Sequence, residues 1–151
     1  MGIDGMPKDI PAGSRLIGSM DAVMASFAPV YAKRSPDDRV MLGFRVEAQH
    51  CNPRGHCHGG TWATVADVLM GLNIGFVTNL SGPTVSMAVD FVGAALLGQW
   101  VQGSARVLRK TYRLGFADCL FTADGEPALR ANAVYRRKFA PYSGFLIEPS
   151  G

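Results

Sequence analysis

Apolar positions along the 151 residues recur with two different periods, and the periods divide the chain into elements. Arg39–Ala48 alternates, with Val40, Leu42, Phe44 and Val46 on one face, which predicts a half-buried strand. From His58-Gly59-Gly60 to about Thr78 the spacing changes to that of a helix. Trp62, Val65, Ala66, Leu69 and Phe76 form one stripe there, which predicts a long helix with one buried face. Thr84–Val92 alternates again, with Val85, Met87, Val89 and Phe91 on one face. Trp100–Arg109 and Phe116–Ala123 follow as strands joined by a turn near Tyr112–Gly115. Asp124-Gly125 is a hairpin signal, and Pro127–Phe139 is the last strand. Upstream, Ser14 is an N-cap candidate, and Arg15–Ala28 reads as a helix that ends before Pro29. Residues 1–13, with three glycines and two prolines among them, read as irregular. One helix, one strand, a long helix and four sequential strands imply an α+β fold, a meandering antiparallel sheet wrapped over a central helix. Residues 14–151 are expected to form one domain.

Composition narrows this picture only slightly. A hydrophobic fraction of 48 % is ordinary for a globular chain. The most apolar run, Val65 to Val77, is interrupted by Asp67 and Asn73, so no membrane span is expected. The start of the chain lacks the basic-then-apolar pattern of a signal peptide, and a cytoplasmic protein is the expectation. Cys51, Cys57 and Cys119 are odd in number and follow no framework spacing, which suggests reduced thiols. Fifteen basic residues against twelve acidic ones leave a net charge of +3. The basic residues gather at Arg106, Arg109, Lys110 and Arg113, and again at Arg136, Arg137 and Lys138, without interleaved aromatics. Such clusters read as solvated strand ends or as a seat for a phosphate-rich small ligand, and no nucleic-acid partner is expected.

Candidate chemistry collects in one short stretch. Gly59 and Gly60 open the long helix, where main-chain amides have no intrahelical partner and the dipole is positive. That is a suitable oxyanion site, although a glycine pair also serves simply to turn the chain tightly. Asp67 is a carboxylate on an otherwise apolar helix, flanked by Ala63, Thr64, Met70, Gly71 and Ile74. It must be paired or functional there. It lies about 12 Å along the axis from Gly59, too far for one helix to bring a base and an oxyanion donor to the same carbonyl. If the two act together, two copies of the helix are required and the active unit is at least a two-fold dimer. His50, Cys51, His56, Cys57 and His58 are close in sequence but lack paired ligand spacing, so no metal centre is expected. A Cys57 nucleophile would need a base that nothing in the sequence orients toward it.

At these residues the chain resembles the hotdog-fold acyl-CoA thioesterases, in particular the branch typified by phenylacetyl-CoA thioesterases. The resemblance covers roughly Val40 to Lys138. It is carried by Asn52, the run His58-Gly59-Gly60-Thr61-Trp62-Ala63-Thr64, and Asp67. It implies hydrolysis of an acyl-CoA thioester by a homodimer, which can itself pair into a tetramer, with no cofactor. Asp67 then matches the catalytic carboxylate, Gly59 the amide that polarises the carbonyl, and Asn52 the side chain that orients substrate or water. His58 shapes the turn, and Thr84 aligns with a hydroxyl that holds the attacking water. For the acyl pocket the expected lining is Gly60, Trp62, Met70, Ile74, Phe91 and Phe116. Arg109, Lys110, Arg136 and Arg137 are the expected contacts to the nucleotide end. Two other readings share the fold: a module that binds acyl-CoA without turning it over, and a hydratase, which would use a histidine in other motifs.

Overall fold

The computed structural model describes residues 9–17, 21–137 and 140–141. In chain order the elements are β1 (Arg15–Leu16), α1 (Ala22–Ser26), β2 (Tyr31–Arg34), β3 (Val40–Arg45), a 3-10 turn (Ala48–His50), α2 (Gly59–Thr78), β4 (Leu80–Ser81), β5 (Thr84–Phe91), β6 (Trp100–Lys110), β7 (Leu114–Ala123), β8 (Glu126–Arg136) and β9 (Ala140–Pro141). Seven strands form one antiparallel sheet in the order β1-β2-β3-β6-β7-β8-β5, and β4 pairs with β9. One long helix, α2, packs across this sheet, as the α+β hotdog expectation requires.

The long helix forms where its apolar stripe predicts. Trp62, Val65, Ala66 and Leu69 are buried and Phe76 is half-buried. Asn79, in the left-handed conformation that asparagine tolerates, ends it. Although α2 is long and apolar enough by composition alone to cross a membrane, its stripe faces the sheet. A buried asparagine fixes where it crosses: Asn73 Oδ1 accepts from the Val40 amide, and Nδ2 donates to the Val40 and Leu69 carbonyls. Every hydrogen-bonding atom of that side chain thus has a partner except one lone pair and no charge is buried.

Val40, Leu42, Phe44 and Val46 are all buried on one face, as alternation predicts. On β7 the inward set is Gly115, Ala117, Cys119, Phe121 and Ala123, while Phe116, Asp118, Leu120 and Thr122 face the other way. Among the described residues β5 has no neighbour beyond it at the edge of the sheet, and Val85 and Phe91 are 59 % and 57 % exposed.

The helix expected over Arg15–Ala28 does not form. Arg15 and Leu16 pair instead with Ala32 and Tyr31 of β2. Asp21, whose side chain accepts from the Met24 amide, starts a helix of only five residues, which stops before Pro29. The last long strand stops at Arg136. Of the expected features, residues 1–8 of the irregular segment, Lys138 and Phe139 lie outside the described residues.

Candidate active site

The turn ahead of α2 is built by its own polar side chains. Asn52 Oδ1 accepts from the amides of Arg54 and His56, 2.9 and 3.3 Å away, and closes the Asn52-Pro53-Arg54-Gly55 turn. These bonds fix its amide orientation and leave Nδ2 as the end that can meet a ligand. The chain then pairs back on itself, with Cys51 opposite Cys57. His58 caps the helix: its Nδ1 accepts from the Gly60 amide at 2.8 Å, so its proton is on Nε2. The Gly60 amide is therefore already taken, and Gly59 is the glycine whose N–H stays without an intrahelical partner. A Cβ on Gly59 would lie 3.4 Å from the Phe91 ring, which places the end of β5 against the helix start.

His50 is structural. Its ring is buried, Nδ1 accepts from the Glu47 amide, and Nε2 donates to the Phe27 carbonyl. Cys57 is also buried, and burial pushes its thiol up to about 12. A thiol held that firmly in its protonated form is a poor nucleophile.

Asp67 is half-buried on the side of α2 that faces the start of β5. Its Oδ1 accepts from Thr84 Oγ1 at 2.7 Å and from the Tyr135 hydroxyl at 2.9 Å. Oδ2 has no hydrogen-bond partner among the described residues. Beside this carboxylate runs a groove of about 660 Å³ lined largely by Ala63, Val68, Met87, Met24 and Val23, with Thr64 at its wall.

The sequence-predicted set therefore divides. Asp67 and Thr84 meet directly, while Asn52, His58, Gly59 and Phe91 gather at the opposite end of β5 and the start of α2. Trp62 is wedged between Phe44 and Phe121 in the core. Met70 and Ile74 are likewise buried, with Ile74 against Gly115, and none of the three lines the groove. Phe116, also expected in the acyl pocket, lies on the outward register of β7. It points away from α2, because strand alternation assigns it to the outer face with Asp118. Arg109, Lys110 and Arg136 are exposed at the end of the sheet where Thr84 and Tyr135 pair. Arg137 joins them, and its guanidinium donates to the Thr111 carbonyl. Tyr135 is the residue that sequence reasoning missed. The available signal was a tyrosine on the inward register of the last strand, opposite a small residue, Gly71, one turn beyond Asp67.

A family model described as the thioesterase superfamily matches residues 54–128, a span holding α2 and most of the sheet. The chain belongs to the thioesterase superfamily. Among its relatives is a Pseudomonas aeruginosa protein assigned provisionally as an esterase, 26 % identical over 129 residues, covering 84 % of this chain and 96 % of that one. Among solved structures, the zebrafish thioesterase superfamily member 2 superposes with a TM-score of 0.71 at 25 % identity, covering 76 % of this chain and 85 % of that one. A Streptococcus pneumoniae protein described as a hypothetical thioesterase, solved with coenzyme A, gives 0.71 at 19 % identity, covering 78 % and 94 %. This last likeness concerns the fold. Asp67 lies on the central helix and Gly59 at its start.

Proposed function

We propose that this superfamily member hydrolyses an acyl-CoA thioester as a two-fold dimer, with Asp67 as general base. The observation that carries the reading is the carboxylate itself: it is anchored through Oδ1 while Oδ2 stays unpartnered beside an apolar groove. In this reaction Asp67 takes a proton from water as the water oxygen attacks the thioester carbonyl. The Gly59 amide donates to the developing oxyanion, and the C–S bond breaks to release coenzyme A as a thiolate. A thiolate leaves readily, so the set needs no strong acid.

The dimer is part of the proposal because Gly59 and Asp67 are separated by about 12 Å along one helix. Strand β5 supplies a route. It is an exposed edge, with Gly59 beside Phe91 at one end and Asp67 bonded to Thr84 at the other. Antiparallel pairing of two β5 strands about a two-fold axis brings the Thr84 end of one copy toward the Phe91 end of the other. Asp67 of one copy then approaches Gly59 of the second. The groove suits the acyl group, and Arg109, Lys110, Arg136 and Arg137 suit the phosphates of coenzyme A, each as a weak, salt-sensitive surface contact.

The test is incubation with a panel of aliphatic and aromatic acyl-CoA esters and a thiol reporter. Thiol release from at least one ester is expected. Asp67→Asn should lower kcat by about 10²- to 10⁴-fold with ligand affinity retained. Tight binding of acyl-CoA without thiol release from any ester would overturn the hydrolase reading in favour of a binding module.

A further inference from the structure

We infer that Tyr135 is a positioning residue that fixes which oxygen of Asp67 does the chemistry, an inference that rests on the reading of Asp67 as the base. Tyr135 is 4 % exposed and sits on β8 directly opposite Thr84 of β5. Its hydroxyl lies 2.9 Å from Asp67 Oδ1 and 2.7 Å from the main-chain oxygen of the same residue. Thr84 Oγ1 lies 2.7 Å from that same Oδ1. The single phenolic proton is shared between these two oxygens of Asp67, and at Oδ1 it meets the Thr84 hydroxyl proton arriving from a second strand.

The geometry matters because the terminal torsion of an aspartate side chain is soft, and a free carboxylate rotates through a broad range. Thr84 alone cannot fix that torsion. It is exposed, so water competes for its hydroxyl. Tyr135 is held by its buried ring, which packs beside Gly71, at ordinary contact distance from where a Cβ there would sit. Burial, reinforced by the neighbouring Asp67 carboxylate, pushes the phenol well above its ordinary range. The tyrosine thus keeps its proton through neutral and alkaline pH and is always a donor. With Oδ1 tied on two sides, Oδ2 is the oxygen that takes the proton from water.

Tyr135→Phe keeps the ring and removes only the hydroxyl. It should lower kcat about tenfold to a hundredfold through misplacement of the base, with KM changed less than about twofold. In an Asp67→Asn background the same substitution should cost nothing further, because it acts through the carboxylate. A crystal structure of Tyr135→Phe should show the Asp67 carboxylate rotated or in two orientations. The inference is overturned by an unmoved carboxylate, by an unchanged kcat, by a loss that appears mainly in KM, or by an equal loss in both backgrounds. If the wild-type protein releases no thiol from any acyl-CoA, the hydrolase reading fails by itself, and the position of the carboxylate in Tyr135→Phe still decides whether Tyr135 holds it.

Discussion

At the scale of single residues, what decides behaviour is how each polar group is met once the chain closes around it. Cys57 and Cys119 are both 6 % exposed, and burial pushes each thiol from 9.0 up to about 12. In the unfolded chain these thiols ionise near their ordinary value, so above that pH the unfolded state binds fewer protons than the folded one. Their contribution to stability is therefore complete below about pH 9 and is lost as pH rises toward 12. Urea unfolding at pH 8 and at pH 10.5 should show a lower midpoint at the higher pH, with a smaller decline in a Cys57→Ala, Cys119→Ala variant. A decline equally steep in that variant would assign the effect to other groups. The same accounting explains which site residues could be read from the sequence. Asp67 stands out because a charge interrupts an apolar stripe, and His58 because a capping side chain announces a helix start. Tyr135 does not, since it occupies an ordinary inward position on an alternating strand and its partner is 68 residues away. Trp62 and Met70, expected in the acyl-pocket lining, lie in the core, because helical spacing tells that a face is buried, not what covers it.

At the scale of elements, local pattern succeeds where packing agrees with it and fails where a distant strand offers more. The period of α2 and the alternation of β3, β6, β7 and β8 are each long enough to be decisive. By contrast, the window from Arg15 to Ala28 has helical spacing, yet its first residues satisfy their backbone groups on the edge of β2. Nothing within the window reveals that this edge is available, and β2 itself is only four residues long. The close fit between neighbouring strands is equally hidden until they pair. Gly103 on β6 faces Phe121 on β7, and a Cβ there would fall 2.3 Å from the Phe121 ring, which is fully buried. Gly103→Ala should thus force the ring or the strand to move and destabilise the fold by about 1–3 kcal/mol. Ser104→Ala, on the opposite face of the same strand, should change stability by less than about 0.5 kcal/mol. Chemical denaturation of the two variants checks this. Equal midpoints would mean that the space between β6 and β7 is looser than the backbone indicates.

At the scale of the whole molecule, the proposed site depends on the distance between the start and the middle of one helix. A base at Asp67 and an oxyanion donor at Gly59 cannot reach one carbonyl from the same copy, so loss of either group should be repairable only by a second chain. Mixing Asp67→Ala with Gly59→Pro tests this directly. The proline removes the amide, yet it should fold. The position is the first of the helix, where proline is favoured, and the preceding His58 has φ −64° and ψ 141°, the extended conformation that a following proline requires. A side chain there also meets the Phe91 ring only at ordinary contact distance. Each parent alone should be nearly inactive. After the two are unfolded and refolded together, about half of the dimers should be hybrids, each with one intact site and one doubly broken site, restoring about a quarter of wild-type activity. The hybrids can be confirmed by mass spectrometry of the intact dimer. If they form and activity stays at the level of the parents, the site is built within one subunit, and the pairing of Asp67 with Gly59 of a second copy is wrong.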